Sequence, residues 1–264
     1  DYAKSRLEAG KAANPRHQPC AESALMRNGK KIAVVIPAFD EADAIGKVID
    51  GVPDWIDRTI VADNASQDGT AGIAEAHGAQ VVHEPQPGYG AACLRGIAAA
   101  AGHDIIVFMD GDYSDRGSEM HLLVDPIADD LADMVIGSRT LGAAEAGSLT
   151  PQQRWGNWLA CSLIRLFWGA RYTDLGPYRA IAADSLRSID MQDRAFGWTV
   201  EMQLKAIQHD LRWREVPVSY FNRIGVSKIS GTVRGTILAG HAIIGTILRT
   251  ALAARRQKTR SDTG

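Results

Sequence analysis

The feature that most constrains the fold is an alternation of short apolar runs with stretches of helical spacing between residues 31 and 138. Apolar runs of this length are typical of strands buried on both faces of a sheet. Strands that alternate with helices predict an α/β fold with a mainly parallel, doubly wound sheet and helices on both faces. Pro126 is expected to break or bend the last of these helices. The predicted strands lie at 32–36, 58–62, 79–83, 105–109 and 134–136, and the predicted helices at 42–52, 70–77, 88–101 and 118–129.

Polar clusters follow four of these strands, at 37–41, 63–68, 84–90 and 110–115. In open parallel sheets, ligands bind beyond the carboxyl ends of the strands, so the clusters predict one site at that edge.

The most informative cluster contains Asp110-Gly111-Asp112. Two carboxylates separated by one glycine repel each other, but they offer the oxygen ligands that Mg²⁺ and Mn²⁺ prefer. An acidic, solvated turn is the alternative interpretation of the same residues.

The composition is that of a globular protein with a sizeable core. The 264 residues suffice for one large α/β domain or two small ones, and 45% of them are hydrophobic. The formal net charge of −2 provides no overall attraction to nucleic acid, so no nucleic-acid partner is predicted. The three cysteines are scattered and the first residues lack an apolar segment, which predicts a cytoplasmic protein with reduced thiols.

The second half of the chain has a different pattern, with predicted helices at 151–168, 183–189 and 199–209, a loop at 173–179 and one or two strands within 211–221. A basic, flexible segment follows at 223–228. The apolar segment at 229–254 is interrupted by charged residues and glycines, so it does not predict a membrane span. With the basic residues up to 260 it fits a helix lying on the inner face of an anionic membrane. Packing on its own domain, or in a homodimer, is an equal alternative.

Five motifs in this order resemble family 2 glycosyltransferases, and the nearest resemblance is to the dolichyl/polyprenyl-phosphate sugar synthase branch. Each motif is weak alone, but five in order beside the predicted strands form a specific signal. The resemblance covers roughly residues 30–228 and implies the GT-A fold. The motifs are PAFDE at 37–41, DNASQDGT at 63–70, GYG at 88–90, DGD at 110–112 and GSR at 137–139.

The composition and the resemblance together predict how the chain is divided. Residues 1–29 show no sustained periodicity and are expected to be a flexible N-terminal extension, and the resemblance implies that residues 30–228 are the GT-A glycosyltransferase domain. Within that domain, the nucleotide-sugar half is at about 30–139 and the acceptor half at about 140–228. Residues 229–264 form the C-terminal helix and basic tail.

The implied activity is that of a metal-dependent hexosyltransferase. It would move a sugar from a UDP- or GDP-sugar to a lipid-phosphate or hydroxyl acceptor, with inversion at the anomeric carbon, although retention is left open. Asp110 and Asp112 would hold Mg²⁺ or Mn²⁺ on the diphosphate, where the metal neutralises charge on the leaving group. The implied nucleotide-sugar residues are Pro37, Ala38, Phe39, Glu41, Asp63, Gly88, Gly90, Asp110, Gly111, Arg139, Arg223 and Lys228.

Individual roles follow from the same resemblance. Glu41 and Asp63 would accept hydrogen bonds from the ribose and base, and Arg223 and Lys228 would belong to a loop that closes over the diphosphate. Glu201 matches a carboxylate near the acceptor. It would be a general base for a hydroxyl acceptor, whereas a lipid phosphate is already ionised and Glu201 would then only orient substrate. The implied catalytic residues are Glu201 and Asp112, and the acceptor-side residues are Asp174, Arg179 and Trp198.

Two departures from the family pattern bear on substrate recognition. Gly176-Pro177 stands where relatives more often have Ser-Gly, which affects the acceptor side. Pro87 stands where relatives commonly have a lysine, so Arg95 is a candidate to replace one phosphate contact.

Three other functions compete with this reading. A sugar-nucleotide nucleotidyltransferase would need a glycine-rich, basic phosphate loop after the first strand, but residues 37–41 are acidic. A dinucleotide-binding oxidoreductase would need a third glycine where Cys93 stands, and its motif should follow the first strand. A non-catalytic, membrane-docked scaffold with a degenerate transferase domain is disfavoured because Asp110 and Asp112 are both present.

Overall fold

A single seven-stranded sheet forms the centre of the computed structural model, which describes residues 27–225 and 233–261. The order of the strands, which are numbered along the chain, is β3-β2-β1-β4-β6-β5-β7. The sixth strand runs antiparallel to both of its neighbours, and the other pairs are parallel, which confirms the mainly parallel sheet. The strands are β1 (Ile32–Ala38), β2 (Arg58–Asp63), β3 (Gln80–His83), β4 (Ile105–Phe108), β5 (Met134–Ser138), β6 (Arg179–Ala182) and β7 (Trp213–Pro217).

The helices before residue 225 begin and end within two residues of their predicted positions, once a short 3₁₀ turn at Gly117–Glu119 is counted with the fourth helix. Pro126 stands inside that helix, two residues before its end, so the predicted break is wrong. The helices that the structure describes are α1 (Ala42–Asp50), α2 (Thr70–Ala76), α3 (Tyr89–Ala99), α4 (Met120–Ala128), α5 (Pro151–Trp168), α6 (Ala183–Ile189), α7 (Trp198–Gln208) and α8 (Val233–Ser261).

Local chemistry fixes the ends of α5 unusually well. Thr150 accepts a hydrogen bond from the backbone N–H of Gln153, and the Gln153 side chain accepts one from the backbone N–H of Thr150. This reciprocal capping satisfies two N–H groups that the first helical turn leaves unpaired. Pro151 occupies the first turn, and Gly169 ends the helix in the left-handed conformation at φ 73°. The helix therefore has the bounds that the sequence predicted.

The core consists of two apolar clusters, one on each face of the sheet. Along β1, Ala33 and Val35 point into one cluster, while Ile32, Val34 and Ile36 point into the other. This alternation follows from the two-residue period of a strand. All five side chains are buried, and burial of a Val or Ile side chain contributes roughly 1.5–3 kcal/mol. The central strands therefore hold their carboxyl ends in a fixed place at one edge of the sheet.

The two ends of the described chain also pack on this domain. Arg27 lies 3.5 Å over the ring of Trp55 and pairs with Asp125 at 3.0 Å, so the last residues of the predicted 1–29 extension belong to the domain. Residues 1–26 lie outside the described residues. Helix α8 packs against α5 and α7 and buries Ile247 and Ala251. None of the helices that the structure describes is long and apolar enough to cross a membrane.

Candidate active site

Four of the predicted polar clusters meet at the carboxyl edge of the sheet. Asp63 is the last residue of β2, and Asp110 lies two residues beyond the end of β4. Glu41 follows β1, and its carboxylate is bridged to that of Asp112 by one guanidinium. The bridge is made by Arg223, which is 182 residues from Glu41 in sequence. The structure thus brings together residues from three strand ends and the loop after β7.

The loop that follows β4 holds three carboxylates. Tyr89 donates a hydrogen bond to Asp110 at 3.2 Å, and the backbone N–H of Asp110 donates to Asp115 at 3.3 Å. Asp112 accepts a hydrogen bond from the backbone N–H of Ser114 at 3.0 Å. Asp112 and Asp115 are buried, and one oxygen of Asp115 has no hydrogen-bond partner among the described residues. The loop is therefore a concentrated, partly unsatisfied source of negative charge.

Burial and mutual repulsion disfavour full ionisation of this loop. Burial, followed by the nearby charge of Asp112, raises the pKa of Asp110 from 3.8 to about 7, against the opposing effect of Arg223. Burial, followed by the charges of Asp110 and Asp112, raises the pKa of Asp115 well above its ordinary value. Such shifts are common at functional sites. A cation bound there would favour the ionised carboxylates and lower both pKa values.

These residues fit a divalent cation that shares its ligands with a substrate. No group of three or more Cys, His, Asp or Glu side chains in the described ranges forms a ready-made metal site. Mg²⁺ is usually held by one or two carboxylates and completes its shell with substrate phosphates and water. Asp110 and Asp112 would provide the two carboxylates, and one oxygen of the nearby Asp115 has no hydrogen-bond partner among the described residues. The donor set therefore suits Mg²⁺ or Mn²⁺ together with a phosphorylated ligand.

Arg223 pairs with both Asp112 and Glu41. Its guanidinium lies 2.9 Å from a Glu41 oxygen and 3.2 Å from an Asp112 oxygen. The Nε atom of Arg223 is buried and has no hydrogen-bond partner in the described part of the chain. The loop itself is held to the Asp112 segment, because the backbone N–H of Ile224 donates to the carbonyl of Asp112 at 2.9 Å. Lys228, predicted to act beside Arg223, lies outside the described residues.

The end of β2 contributes a second group of polar side chains to this edge of the sheet. Asp63 is buried, accepts from or pairs with His83 at 3.2 Å, and keeps its other oxygen unpartnered within the described residues. Asn64, which the sequence reasoning missed, donates to the carbonyls of Glu84 and Gln86 and accepts from the N–H of Gly88 at 2.8 Å. Its position directly after Asp63 in a predicted cluster was the available signal. Asn64 therefore ties the ends of β2 and β3 to the start of α3.

The other residues predicted near the nucleotide lie along the same edge. Pro37 and Ala38 end β1 and are buried, whereas Phe39 just beyond them is exposed. Gly111 lies behind them, where an added Cβ would be 3.4 Å from the Pro37 carbonyl oxygen. The predicted replacement Arg95 makes no described contact with this group.

Gly88 and Gly90 allow two backbone segments to touch. A Cβ at Gly88 would lie 2.1 Å from the Arg194 carbonyl oxygen, and one at Gly90 would lie 2.0 Å from that of Asp193. Gly90 and Ala91 donate their backbone N–H groups to the carbonyls of Ala195 and Arg194 at 3.1 and 3.0 Å. Any side chain larger than hydrogen would separate the segments. The two glycines thus join the start of α3, and with it Tyr89, to the loop before α7.

Glu201 holds the other side of that loop. Its two oxygens accept hydrogen bonds from the backbone N–H groups of Gln192 and Asp193 at 3.0 and 2.7 Å, and Lys205 pairs with it at 3.0 Å. Its carboxylate lines a cavity of about 290 Å³ between α7 and α8. No described contact joins Glu201 directly to Asp110 or Asp112. Among the described residues, the 192–195 loop and α3 connect them.

Arg139 and Asp174, both predicted, form a bidentate ion pair. The guanidinium donates to the two carboxylate oxygens at 2.8 and 2.6 Å, and the backbone N–H of Arg139 also donates to Asp174 at 2.8 Å. Burial opposes the charge of Arg139, but Asp174 raises its pKa above the ordinary value. Glu215 accepts the N–H groups of Thr173 and Asp174 and so fixes the carboxylate's own segment.

A cavity of about 780 Å³ opens beside this ion pair, between α5 and the loop that follows β5. Three further arginines line it, Arg154 and Arg165 from α5 and Arg171 from the loop after it. None of the three pairs with a carboxylate in the ranges that the structure describes. The sequence reasoning missed these arginines, because they are spread over 18 residues and only the fold places them around one cavity.

Arg179 and Trp198 are buried rather than exposed to a ligand. Arg179 begins β6 and donates to the backbone carbonyls of Leu175, Gly176 and Thr199. Burial lowers the pKa of Arg179 to about 10, so it remains charged at neutral pH. Trp198 packs edge-on against Phe108 with 5.9 Å between ring centroids. Both side chains therefore have a structural role: Arg179 holds the loop before β6 and the start of α7, and Trp198 packs on β4.

Comparison with known proteins identifies relatives of most of the chain. The family model described as Glycosyl transferase family 2 matches residues 33–187. An uncharacterised glycosyltransferase of Mycobacterium tuberculosis is 34% identical over 219 residues, which cover 80% of this chain and 95% of the relative. The undecaprenyl-phosphate mannosyltransferase of Micrococcus luteus is 29% identical over 251 residues, which cover 89% of this chain and 99% of the relative.

Solved structures show the same architecture. The crystal structure of glucosyl-3-phosphoglycerate synthase from Mycobacterium tuberculosis, in complex with Mn²⁺, UDP and glucosyl-3-phosphoglycerate, matches with a TM-score of 0.71. The two proteins are 22% identical, and the match covers 92% of this chain and 86% of that one. This likeness confirms the predicted GT-A fold.

Proposed function

Because this chain belongs to glycosyl transferase family 2, we propose that it transfers a hexose from a nucleoside-diphosphate sugar to a phosphate-bearing acceptor. The observation that carries the proposal is the convergence of Glu41, Asp112 and Arg223 at the carboxyl edge of the sheet. These residues come from three distant parts of the sequence. Their meeting beside Asp110 is what a diphosphate-binding site at a strand edge requires.

The donor would bind along the edge from β2 to β4. The unpartnered oxygen of Asp63 is placed to accept a hydrogen bond from the base or ribose. Asp110 and Asp112 would hold Mg²⁺ or Mn²⁺, which supplies positive charge to the diphosphate when bound. Arg223 has donors to spare and would exchange part of its carboxylate contacts for phosphate oxygens. With Lys228, which stays a sequence prediction, it would close the loop over the donor.

Relatives support a nucleotide donor without fixing its base. The solved glucosyl-3-phosphoglycerate synthase was crystallised with Mn²⁺ and UDP, and the Micrococcus luteus relative is an undecaprenyl-phosphate mannosyltransferase. We therefore propose that the donor of this chain is either a UDP-sugar or a GDP-sugar. The Asp63 carboxylate could accept a hydrogen bond from an N–H group of either base.

The acceptor would bind in the 780 Å³ cavity beside Arg139. Arg154, Arg165 and Arg171 offer positive charge there, while the one acidic side chain among the residues that line it, Asp174, is already engaged by Arg139. Arginine forks match phosphate oxygens well, so the cavity favours an acceptor with a phosphate group. An oxygen of that acceptor would attack the anomeric carbon as the bond to the nucleoside diphosphate breaks.

Glu201 fits a positioning role better than that of a general base. Both of its oxygens are occupied by backbone N–H groups, and Lys205 pairs with one of them. An ionised phosphate acceptor needs no base, whereas a hydroxyl acceptor would. We therefore propose that Glu201 holds the 192–195 loop against α3, so that Tyr89 keeps its hydrogen bond to Asp110.

The first test is a thermal-shift panel of UDP-, GDP-, dTDP- and CMP-sugars, each with and without Mn²⁺. A ligand that binds only the folded state at 100 times its Kd stabilises it by about 2.7 kcal/mol, which gives a clear shift. We expect one nucleotide sugar to raise the melting midpoint only with Mn²⁺, and Asp112→Ala to lose that response. Asp43→Ala, an exposed carboxylate in α1, is the matched control.

A flat panel with the wild-type protein would overturn the transferase proposal and favour the non-catalytic scaffold. Once the donor is known, release of the nucleoside diphosphate should depend on a phosphate-bearing acceptor. Arg171→Gln is expected to raise the KM for that acceptor about tenfold, the loss of one charge-assisted contact, without changing the donor response. Transfer that is indifferent to phosphate on the acceptor would contradict the proposed acceptor class.

A further inference from the structure

Helix α5 exposes three large apolar side chains on one face. Trp155 is 63% exposed, Trp158 62% and Leu166 74%. At 3.6 residues per turn they fall within an arc of about 80°. The opposite face of the helix buries Ala160, Cys161 and Ile164 in the core and contacts α8. Scattered single apolar residues on a surface need no explanation, but an aligned group of two tryptophans and a leucine does.

Positive charge borders this group on one side. Arg154 and Arg165 lie about 20° to 40° beyond Trp158 around the helix, and Arg171 joins them across the cavity. All three arginines are exposed and none pairs with a carboxylate among the described residues. We call these six side chains, Trp155, Trp158, Leu166, Arg154, Arg165 and Arg171, the α5 face.

We propose that the α5 face docks onto an anionic membrane surface. Tryptophan is enriched where an apolar ring can enter the acyl boundary while its N–H stays in the headgroup region. Arginine side chains beside it can extend to lipid phosphates, and unpaired basic residues are attracted to anionic lipids. A second copy of the chain is a poorer occupant, because a symmetric contact would bring the unpaired arginines of the two copies together.

The position of the α5 face suggests a role for the docking in acceptor binding, and this role rests on the proposed function. Trp158 belongs both to the α5 face and to the wall of the 780 Å³ cavity. A helix lying on the bilayer would therefore open the proposed acceptor cavity toward the headgroups. A lipid phosphate could then reach Arg154 and Arg171 while its tail stays in the membrane. The substrate class that this favours is a phosphate carried on a lipid.

Flotation with lipid vesicles tests the docking in the absence of donor and acceptor. The full-length protein is mixed with vesicles of phosphatidylcholine alone or with added phosphatidylglycerol. We expect it to float with the anionic vesicles and not with the neutral ones. Trp155→Ser/Leu166→Ser should weaken binding about tenfold or more, and Arg165→Gln/Arg171→Gln about fivefold for each charge removed.

Two matched variants separate this face from other surfaces. Leu131→Ser removes a leucine that is 52% exposed in the segment between α4 and β5, and should leave flotation unchanged. Leu248→Ser/Leu252→Ser removes two exposed leucines of α8, the segment that the sequence predicted to touch the membrane. Loss of binding with the α8 variant but not with the α5 variants would overturn the proposal, and so would equal flotation of all variants or no flotation of the wild type.

A second measurement needs no substitution in the helix. Vesicles that contain brominated phosphatidylglycerol should quench part of the tryptophan fluorescence of the wild-type protein, because Trp155 and Trp158 enter the acyl boundary. Unquenched fluorescence on bound protein would contradict docking through these rings. Both readouts are independent of turnover. A protein that floats as expected but gives no metal-dependent nucleotide-sugar response would therefore refute the proposed function and not the docking.

Discussion

At the scale of single residues, the buried carboxylates in the loop after β4 lower the stability of the fold when they are ionised. Asp115 is buried with an unpartnered oxygen, and Asp110 beside it shares the cost of ionisation. A folded-state pKa above the unfolded value means that the carboxyl group favours folding below its unfolded pKa. That contribution is lost as the pH rises through the folded pKa. For Asp110 this interval extends from 3.8 to about 7.

Asp115→Asn is therefore expected to raise the free energy of unfolding of the metal-free protein by about 1 kcal/mol at pH 8, with a smaller gain at pH 5. The reason is that Asn removes a charge that is buried, and repelled by Asp110 and Asp112, only in the folded state. Urea unfolding in the presence of EDTA measures the difference. A gain that is equal at the two pH values would show that packing, not charge, causes it.

Glu201 distinguishes two chemical roles by one substitution. Glu201→Gln leaves a single oxygen to accept hydrogen bonds from the two N–H groups of Gln192 and Asp193. Loss of one charge-assisted hydrogen bond of about 1.5–3 kcal/mol should lower kcat/KM by about tenfold or more. As a positioning residue it should leave the shape of the pH–rate profile unchanged, and should speed amide exchange in residues 88–93 and 192–197. Loss of the low-pH limb of the profile, where a general base would be protonated and inactive, with normal exchange, would instead identify a general base.

At the scale of elements, the contact between α3 and the loop before α7 depends on the absence of a side chain. Gly90→Ala would place Cβ 2.0 Å from the Asp193 carbonyl oxygen, and a backbone atom cannot rotate away. We expect a loss of about 2–4 kcal/mol in unfolding free energy. The control is Gly72→Ala in α2, where no atom lies within 4 Å, and where alanine should stabilise the helix by about 0.5–1 kcal/mol. Similar losses at both glycines would contradict the packing argument.

Elements also show why some of the architecture was readable from sequence. The strands β1, β2 and β4 are apolar runs because both of their faces are buried, and α5 carries its own capping residues. The sequence does not predict the four-residue strand β6: Arg179 falls at the end of the predicted 173–179 loop and residues 180–182 belong to no predicted element, because so short a strand has too few residues for a period. Its antiparallel place between β4 and β5 depends on pairing with strands that are distant in sequence.

At the scale of the whole molecule, the site exists only because distant segments meet. The motifs at 37–41 and 110–112 could be read as acidic clusters at strand ends, since that edge follows from the α/β pattern. The contact of Arg223 with Glu41 and Asp112 could not be read from the sequence, because it depends on the path of the chain after β7. The common position of the three arginines that line the proposed acceptor cavity likewise follows only from the fold.

The contact of Arg223 with Asp112 leads to a prediction that separates metal binding from donor binding. Without a donor, the guanidinium occupies an oxygen of Asp112 at 3.2 Å and competes with a divalent cation for it. Arg223→Gln should therefore bind Mn²⁺ alone about fivefold or more tightly, as titrated by electron paramagnetic resonance, because a competing positive charge is removed. The same variant should bind the nucleotide sugar about tenfold more weakly, since a charge-assisted contact with the diphosphate is lost. Arg187→Gln, on the surface of α6, should change neither affinity. If Arg223→Gln weakened Mn²⁺ and donor binding together, the guanidinium would be a support for the acidic loop rather than its competitor for the metal.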